Sequence, residues 1–226
     1  YFIIKPMHKI LDYFYAFTGN YGWAIILLTI LVRVVFFPLN QYSMKSMGKM
    51  RSLAPQMETI KAQYKTDKVQ MQKATMELYR KNGVNPASSC FPILIQLPIF
   101  FSLYKLLLLD LAMRHAPWLW IWEDLSARDP TSFVNLFGLL PYDVPSFLVI
   151  GAWPVAMGVS MWVQQKLNPA PTDAMQAKLF AFFPLFLTVI LAPFPAGLVI
   201  YWTINNILTM AQQVFIMKRT TVKTVT

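Results

Sequence analysis

One stretch constrains the chain more than any other: GWAIILLTILVRVVFFPL, from Gly22 to Leu39, an apolar run with a single arginine, Arg33, inside it. At ~1.5 Å per residue, a helix of this length covers roughly 27 Å, close to the hydrocarbon thickness of a bilayer. An arginine at that depth costs about 2.5–3.5 kcal/mol on insertion scales. Its ordinary escape is to snorkel to the nearer interface, beyond Leu39. Helical side chains, however, lean toward the helix N-terminus, which here is the opposite direction. Thr29, four residues earlier, shares the face and adds a hydroxyl to it. This face reads as the lining of a wet or polar cavity inside a membrane.

The rest of the chain has the same character. Hydrophobic residues make up 56% and charged residues 13%, a balance foreign to a soluble domain. The charges gather between apolar runs. The expected fold is an all-α integral membrane protein with five transmembrane helices, preceded by an interfacial amphipathic helix and carrying a helical hairpin on the cytoplasmic side. Cys90 is the only cysteine, so no intramolecular disulfide is available. No cofactor or metal is expected. Tyr1 is not an initiating residue, so an N-terminal portion, with an anchor or a further domain, is expected upstream.

Residues 1–19 contain the amphipathic helix, from Pro6 to Thr18, with Met7, Ile10, Leu11, Phe14 and Phe17 on one face and Gly19 as its stop. It is too short to span and suits the membrane interface. Residues 20–39 are the first span. Residues 40–87 carry nine basic residues against three acidic ones, a net +6. Met44, Met47, Met50 and Met57 recur there at helical spacing, with a bend at Pro55 and a second helix starting at Asp67. Two readings stand for this hairpin: a basic body resting on anionic lipid, or an adaptable thioether surface contacting varied apolar segments. The second span, 88–109, is kinked by Pro92 and Pro98 and holds Gln96 at depth; hydrogen bonding to a neighbouring helix is the commoner fate of such an amide.

Residues 110–145 carry five acidic residues against two arginines, a net −3, with Trp118, Trp120 and Trp122 suited to an interfacial belt. The third span is 146–165, with small residues for close helix approach. A loop at 166–174, a fourth span at 175–192, a fifth at 196–217 and a basic tail at 218–226 follow. Positive-inside counting puts the hairpin, the 166–174 loop and the tail in the cytoplasm, and 110–145 outside. On the fifth span Trp202, Asn205, Asn206, Thr209, Gln212 and Gln213 fall on one side, a polar stripe that must face the bundle interior or water. Interhelical bonding accounts for part of it. No acidic residue lies clearly within a span to pair with Arg33.

Taken together, GNYGWAIILLTILVRVVFFPL, the Met/Lys hairpin, NPASSCFPILIQLPIF, the loop with DLSARDP and FPAGLVIYWTINN with QQ following resemble the YidC/Oxa1/Alb3 family of membrane protein insertases in its bacterial form. The resemblance covers essentially the whole chain. It implies a five-span core enclosing a hydrophilic groove open to cytoplasm and lipid. Arg33, Thr29 and Trp202 match groove positions, and the hairpin matches a cytoplasmic region needed for activity. Location in the bacterial inner membrane is implied, as are nascent membrane proteins and lipids as partners, the Sec translocon, the ribosome and targeting factors beside them, and no direct contact with nucleic acid. Gln96, Asn205, Asn206 and Thr209 join the groove on their own chemistry.

The reading is therefore an insertase and chaperone, not an enzyme. The alternative is a small-anion transporter with Arg33 as its site, although the spans supply no carboxylates for proton coupling. An intramembrane protease is excluded by position, because His8 and His115 both lie outside the spans.

Overall fold

The computed structural model describes residues 2–85, 87, 91–119, 121–136, 140, 145, 149–168 and 174–222, with the side chains of 174–176 and 217–222 left aside. Among these residues the regular structure is helical throughout: α1 (Ile4–Thr18), α2 (Tyr21–Val35), α3 (Phe37–Ser52), α4 (Ala54–Gln63), α5 (Lys68–Lys81), α6 (Phe91–Leu109), α7 (Ala152–Leu167), α8 (Ala174–Leu191) and α9 (Ala196–Val222).

Local chemistry explains most of the boundaries. Gly19 ends α1 in the left-handed region, at φ 67°, and its N–H donates to the Tyr15 carbonyl at 2.7 Å. Asn20 caps α2, its Oδ1 accepting from the Gly22 N–H at 2.9 Å. Asp67 caps α5, accepting from the N–H groups of Val69 and Gln70, both at 3.0 Å. Pro55 sits in the first turn of α4, as expected for a bend there.

The first span departs from expectation. The apolar run does not continue as one rod to Leu39 but breaks at Phe36, and α2 and α3 meet at 67°. Pro38, in the first turn of α3, has no N–H to continue the ladder of α2, so the chain restarts as a new helix. Arg33 thus stands in the last turn of α2, beside the bend.

By length and hydropathy Phe91–Leu109 qualifies to cross a bilayer unaided, α2 and α3 qualify together as a bent pair, and Ala177–Leu191 is apolar over a shorter length. Fewer helices qualify than the sequence reading expects, because α7 has only 16 residues and polar residues interrupt α9. The expected starts at Ser88 and Ser146 lie outside the described residues, and α7 itself begins only at Ala152. Along α8, Leu179, Phe182, Leu185 and Val189 are exposed, as are Ile93, Leu94, Phe101 and Leu108 on α6. Exposed apolar side chains on this scale suit contact with lipid.

The main core sits at the end of the molecule away from the hairpin. Leu11 of α1, Ile25 and Leu28 of α2, Leu103 and Leu107 of α6, Met157 of α7 and Leu198–Tyr201 of α9 are fully buried in one cluster. The segment between α6 and α7 belongs to it. Trp118 and Trp122, read from the sequence as an interfacial belt, are instead buried, with ring centroids 5.5–5.7 Å from that of Trp153. Trp120 lies outside the described residues. Indoles between two apolar runs look alike in sequence whether they face lipid headgroups or a core, and here the loop folds inward. The N–H groups of Ala196 and Gly197 donate to the Ala127 and Leu125 carbonyls at 2.7 and 2.9 Å, so the loop backbone caps α9. Asp129, 1% exposed, accepts from Trp122 Nε1 at 3.0 Å, Thr131 Oγ1 at 2.7 Å and the Trp153 N–H at 2.9 Å, which binds the loop to the start of α7. A second, small core of Met50, Leu53 and Val84 holds the hairpin together.

Candidate functional site

Between the helices, on the hairpin side of the core, lies a cavity of about 500 Å³. Residues from six helices and the break at Phe36 line it: Arg33 of α2; Asn40, Ser43, Met44 and Met47 of α3; Gln96 and Phe100 of α6; Gln164 and Gln165 of α7; Phe183 and Leu187 of α8; Trp202, Asn205, Asn206 and Thr209 of α9. Arg33 is the one charged side chain among the described lining residues. The polar groups come chiefly from α3, α7 and α9. Ile93, Ile95, Leu97 and Ile99 of α6 supply an apolar wall.

The bend after Arg33 builds much of this. By turning the chain 67°, it brings Asn40 and Ser43, which the sequence places past the first span, back over the cavity. Arg33 reaches α9. Its Nε donates to Asn205 Oδ1 at 2.9 Å, and its Nη2 donates to the Asn205 carbonyl at 3.0 Å and to Thr209 Oγ1. Those acceptors are uncharged, so the guanidinium keeps its full positive charge. The notion from sequence of an unpaired arginine does not hold, because it is hydrogen-bonded to these groups of α9.

The remaining site residues divide clearly. Gln96 lines the cavity and donates Nε2 to the hydroxyl of Tyr201 at 2.7 Å, tying α6 to α9. Trp202 lines it with its ring edge-on to Phe100, centroids 5.1 Å apart. Asn206 donates to Ser160 Oγ at 3.0 Å, and Gln213 donates to the Leu167 carbonyl at 3.0 Å, so both also fasten α9 to α7. Thr29 is not among the lining residues. It is fully buried, and its hydroxyl donates to the Ile25 carbonyl at 2.7 Å in its own helix. Met44 and Met47 face the cavity; Met50 lies in the hairpin's small core and Met57 is buried.

Sequence reasoning missed Asn40, Ser43, Gln164, Gln165 and Tyr201. The first two stand at i, i+3 immediately after the arginine run, a spacing that would have shown a polar face had the break at Phe36 been foreseen.

One grouping among the described residues has the donor types of a metal site. His8, Asp12 and Asp110 bring ligand atoms within 4.8 Å of one another, and none of the three lines the cavity. Each imidazole nitrogen already faces a carboxylate, Nδ1 to Asp12 at 2.7 Å and Nε2 to Asp110 at 2.8 Å, which joins α1 to the end of α6 without an ion. His115 contacts Asp124 at 3.1 Å in the loop, so neither histidine reaches a cavity serine.

Fold and site define a helical protein with exposed apolar faces and a polar, singly charged cavity among its helices. Comparison with known proteins narrows this to a family. A family model described as 60Kd inner membrane protein matches residues 13–223, and the chain belongs to that family, the YidC/Oxa1 family. A protein named membrane protein insertase YidC from Pelagibacter ubique is 60% identical over 225 residues, which cover 99% of this chain and 40% of that protein. A Brucella suis protein of the same name is 52% identical over 224 residues, covering 99% of this chain and 37% of that one. The chain thus spans about two fifths of the length of these relatives. A crystal structure titled as an active YidC insertase, with the first transmembrane domain resolved, superposes with a TM-score of 0.68 at 31% identity, covering 92% of this chain and 45% of that one.

Proposed function

We propose that the chain is the working core of a membrane protein insertase and chaperone, which receives apolar segments of nascent membrane proteins and helps their polar flanks cross. The observation that carries this is the cavity itself: one uncancelled positive charge and a set of amides on one side, an apolar wall from α6 on the other. Such a surface matches a polypeptide segment with a polar flank and an apolar body better than it matches a small anion. At about 500 Å³ the cavity falls in the range of small-molecule sites, so it holds only a few side chains at a time. The client passes along it and leaves sideways into lipid.

In this reading α2, α6, α7, α8 and α9 are the five crossings, and α1 lies in the outer interface. The basic hairpin and the tail face the cytoplasm of a bacterial inner membrane, as the charge asymmetry of +6 against −3 supports. The energetics balance without an ATP-driven motor. An acidic residue faces about 2.5–3.5 kcal/mol at the bilayer centre. A potential negative inside supplies roughly 2.3 kcal/mol per charge per 100 mV. A wet cavity carrying Arg33 shortens the dry part of the path. Lipids and client chains are the partners this requires; a Sec translocon, ribosomes and targeting factors are further partners by kinship.

The test is capture of a stalled client. A photocrosslinker at Gln96 or Trp202 should capture a ribosome-bound membrane-protein chain, and one at Val34, which is 64% exposed on α2, should capture it poorly. Equal capture at all three would mean the client only brushes the lipid-facing surface, and the cavity reading would fall. Flux of radiolabelled anions into proteoliposomes, with no insertion, would favour a transporter instead.

A further inference from the structure

On the insertase reading above, we propose that Asn205 and Thr209 are positioning residues: they aim the Arg33 guanidinium into the cavity without neutralising it. A guanidinium has five N–H donors in a rigid fork. The Nε hydrogen goes to Asn205 Oδ1, and Nη2 addresses both the Asn205 carbonyl and Thr209 Oγ1. Nη1 has no hydrogen-bond partner among the described residues and belongs to a side chain that lines the cavity. The fork is therefore held along one edge and offered along the other.

The sequence of α9 is built for this. Positions i and i+4 share a helix face, so residues 205 and 209 meet the same edge of Arg33. Thr209 donates its own hydroxyl hydrogen to the Asn205 carbonyl at 2.6 Å. That fixes the hydroxyl rotor and leaves its lone pairs facing the arginine. Every acceptor in the cradle is neutral. An aspartate at 205 would orient the fork equally well, yet it would cancel the charge that an acidic client needs. The cradle thus favours one part of the cargo: a carboxylate in the translocated flank, engaged by Nη1.

The experiment uses the purified chain in proteoliposomes and two versions of one client, with acidic residues in the translocated flank or with those residues amidated to Asn and Gln. The readout is the ratio of acidic to neutral insertion. Asn205→Asp is nearly isosteric and should lower that ratio about tenfold. Thr209→Val and Asn205→Leu should lower it by about threefold each, and Asn205→Ser, which retains an acceptor, should restore part of it. Melting temperature in detergent controls for folding. A merely structural role would depress both clients together and leave the ratio unchanged, and that result for Asn205→Asp and Thr209→Val overturns the positioning role. If wild type inserts neither client above protein-free vesicles, the insertase reading itself fails, a different outcome from an unchanged ratio.

Discussion

Gly22 shows how much of this molecule depends on single atoms. It lies in the first turn of α2 with the Trp118 indole directly against its backbone, so any Cβ there would overlap the ring. Gly22→Ala should therefore push Trp118 out of a cluster that also contains Trp23 and Trp122. The expected destabilisation is about 1–3 kcal/mol, the usual range for overpacking. It should appear as a lower melting temperature together with a red-shifted tryptophan emission, whereas an unchanged melt would show that the indole has room to move. Residue-scale chemistry also explains Thr29. Its spacing from Arg33 predicts a shared polar face, but a threonine hydroxyl in a helix can reach its own i−4 carbonyl, and at this buried position that local bond wins. Spacing alone does not reveal which partner a hydroxyl takes.

At the scale of elements, the segment between α6 and α7 behaves as a structural unit. Its Leu125 is fully buried, and its carbonyls cap α9. Asp124 helps hold its shape. Burial works against the charged form of this carboxylate, but hydrogen bonds from the Ser126 side chain and backbone, with the adjacent His115, outweigh it and hold the group below the ordinary carboxylate range. A carboxyl whose folded pKa is depressed stabilises the fold above its unfolded value, near ~3.9, and that contribution is lost as pH falls through the folded value. Acidification below about pH 4 should thus loosen the segment, seen as dequenching or a shift of tryptophan fluorescence. Asp124→Asn should remove much of that acid dependence while leaving the neutral-pH spectrum little changed; an identical acid transition in the variant would show that other groups control it. The helix boundaries at Gly19, Asp67 and Pro55 were legible because each rests on local chemistry. The inward folding of the loop was not. It is held largely by backbone carbonyls of Leu125 and Ala127, and any residue supplies a carbonyl.

For the whole molecule, orientation is the property on which every leaflet argument depends. Single cysteines replacing Thr66, exposed between α4 and α5, and Glu123, exposed in the loop, can be introduced where Cys90 has been changed to Ser. A membrane-impermeant maleimide added to intact spheroplasts should label the residue at 123 and spare the one at 66 until the membrane is opened. Labelling of both from outside would reverse or abolish the proposed topology. Charge counting is the ground for this proposed topology, and helical spacing placed Arg33, Trp202, Asn205, Asn206 and Thr209 on faces that do converge. Convergence with α3 and α7 was hidden, because it follows from the 67° bend and from helix packing that no periodicity encodes.

The bond between Arg33 and α9 also sets a schedule. The arginine and its acceptor Asn205 are 172 residues apart in sequence. A ribosome therefore finishes α2 through α8 before it makes any of the groups that Arg33 will grip. Throughout that interval the charge-bearing helix lacks its cradle, although α1, which packs against it, is already made. On the insertase reading, the cavity is completed only when α9 arrives, so handling of cargo must wait until synthesis has passed Thr209.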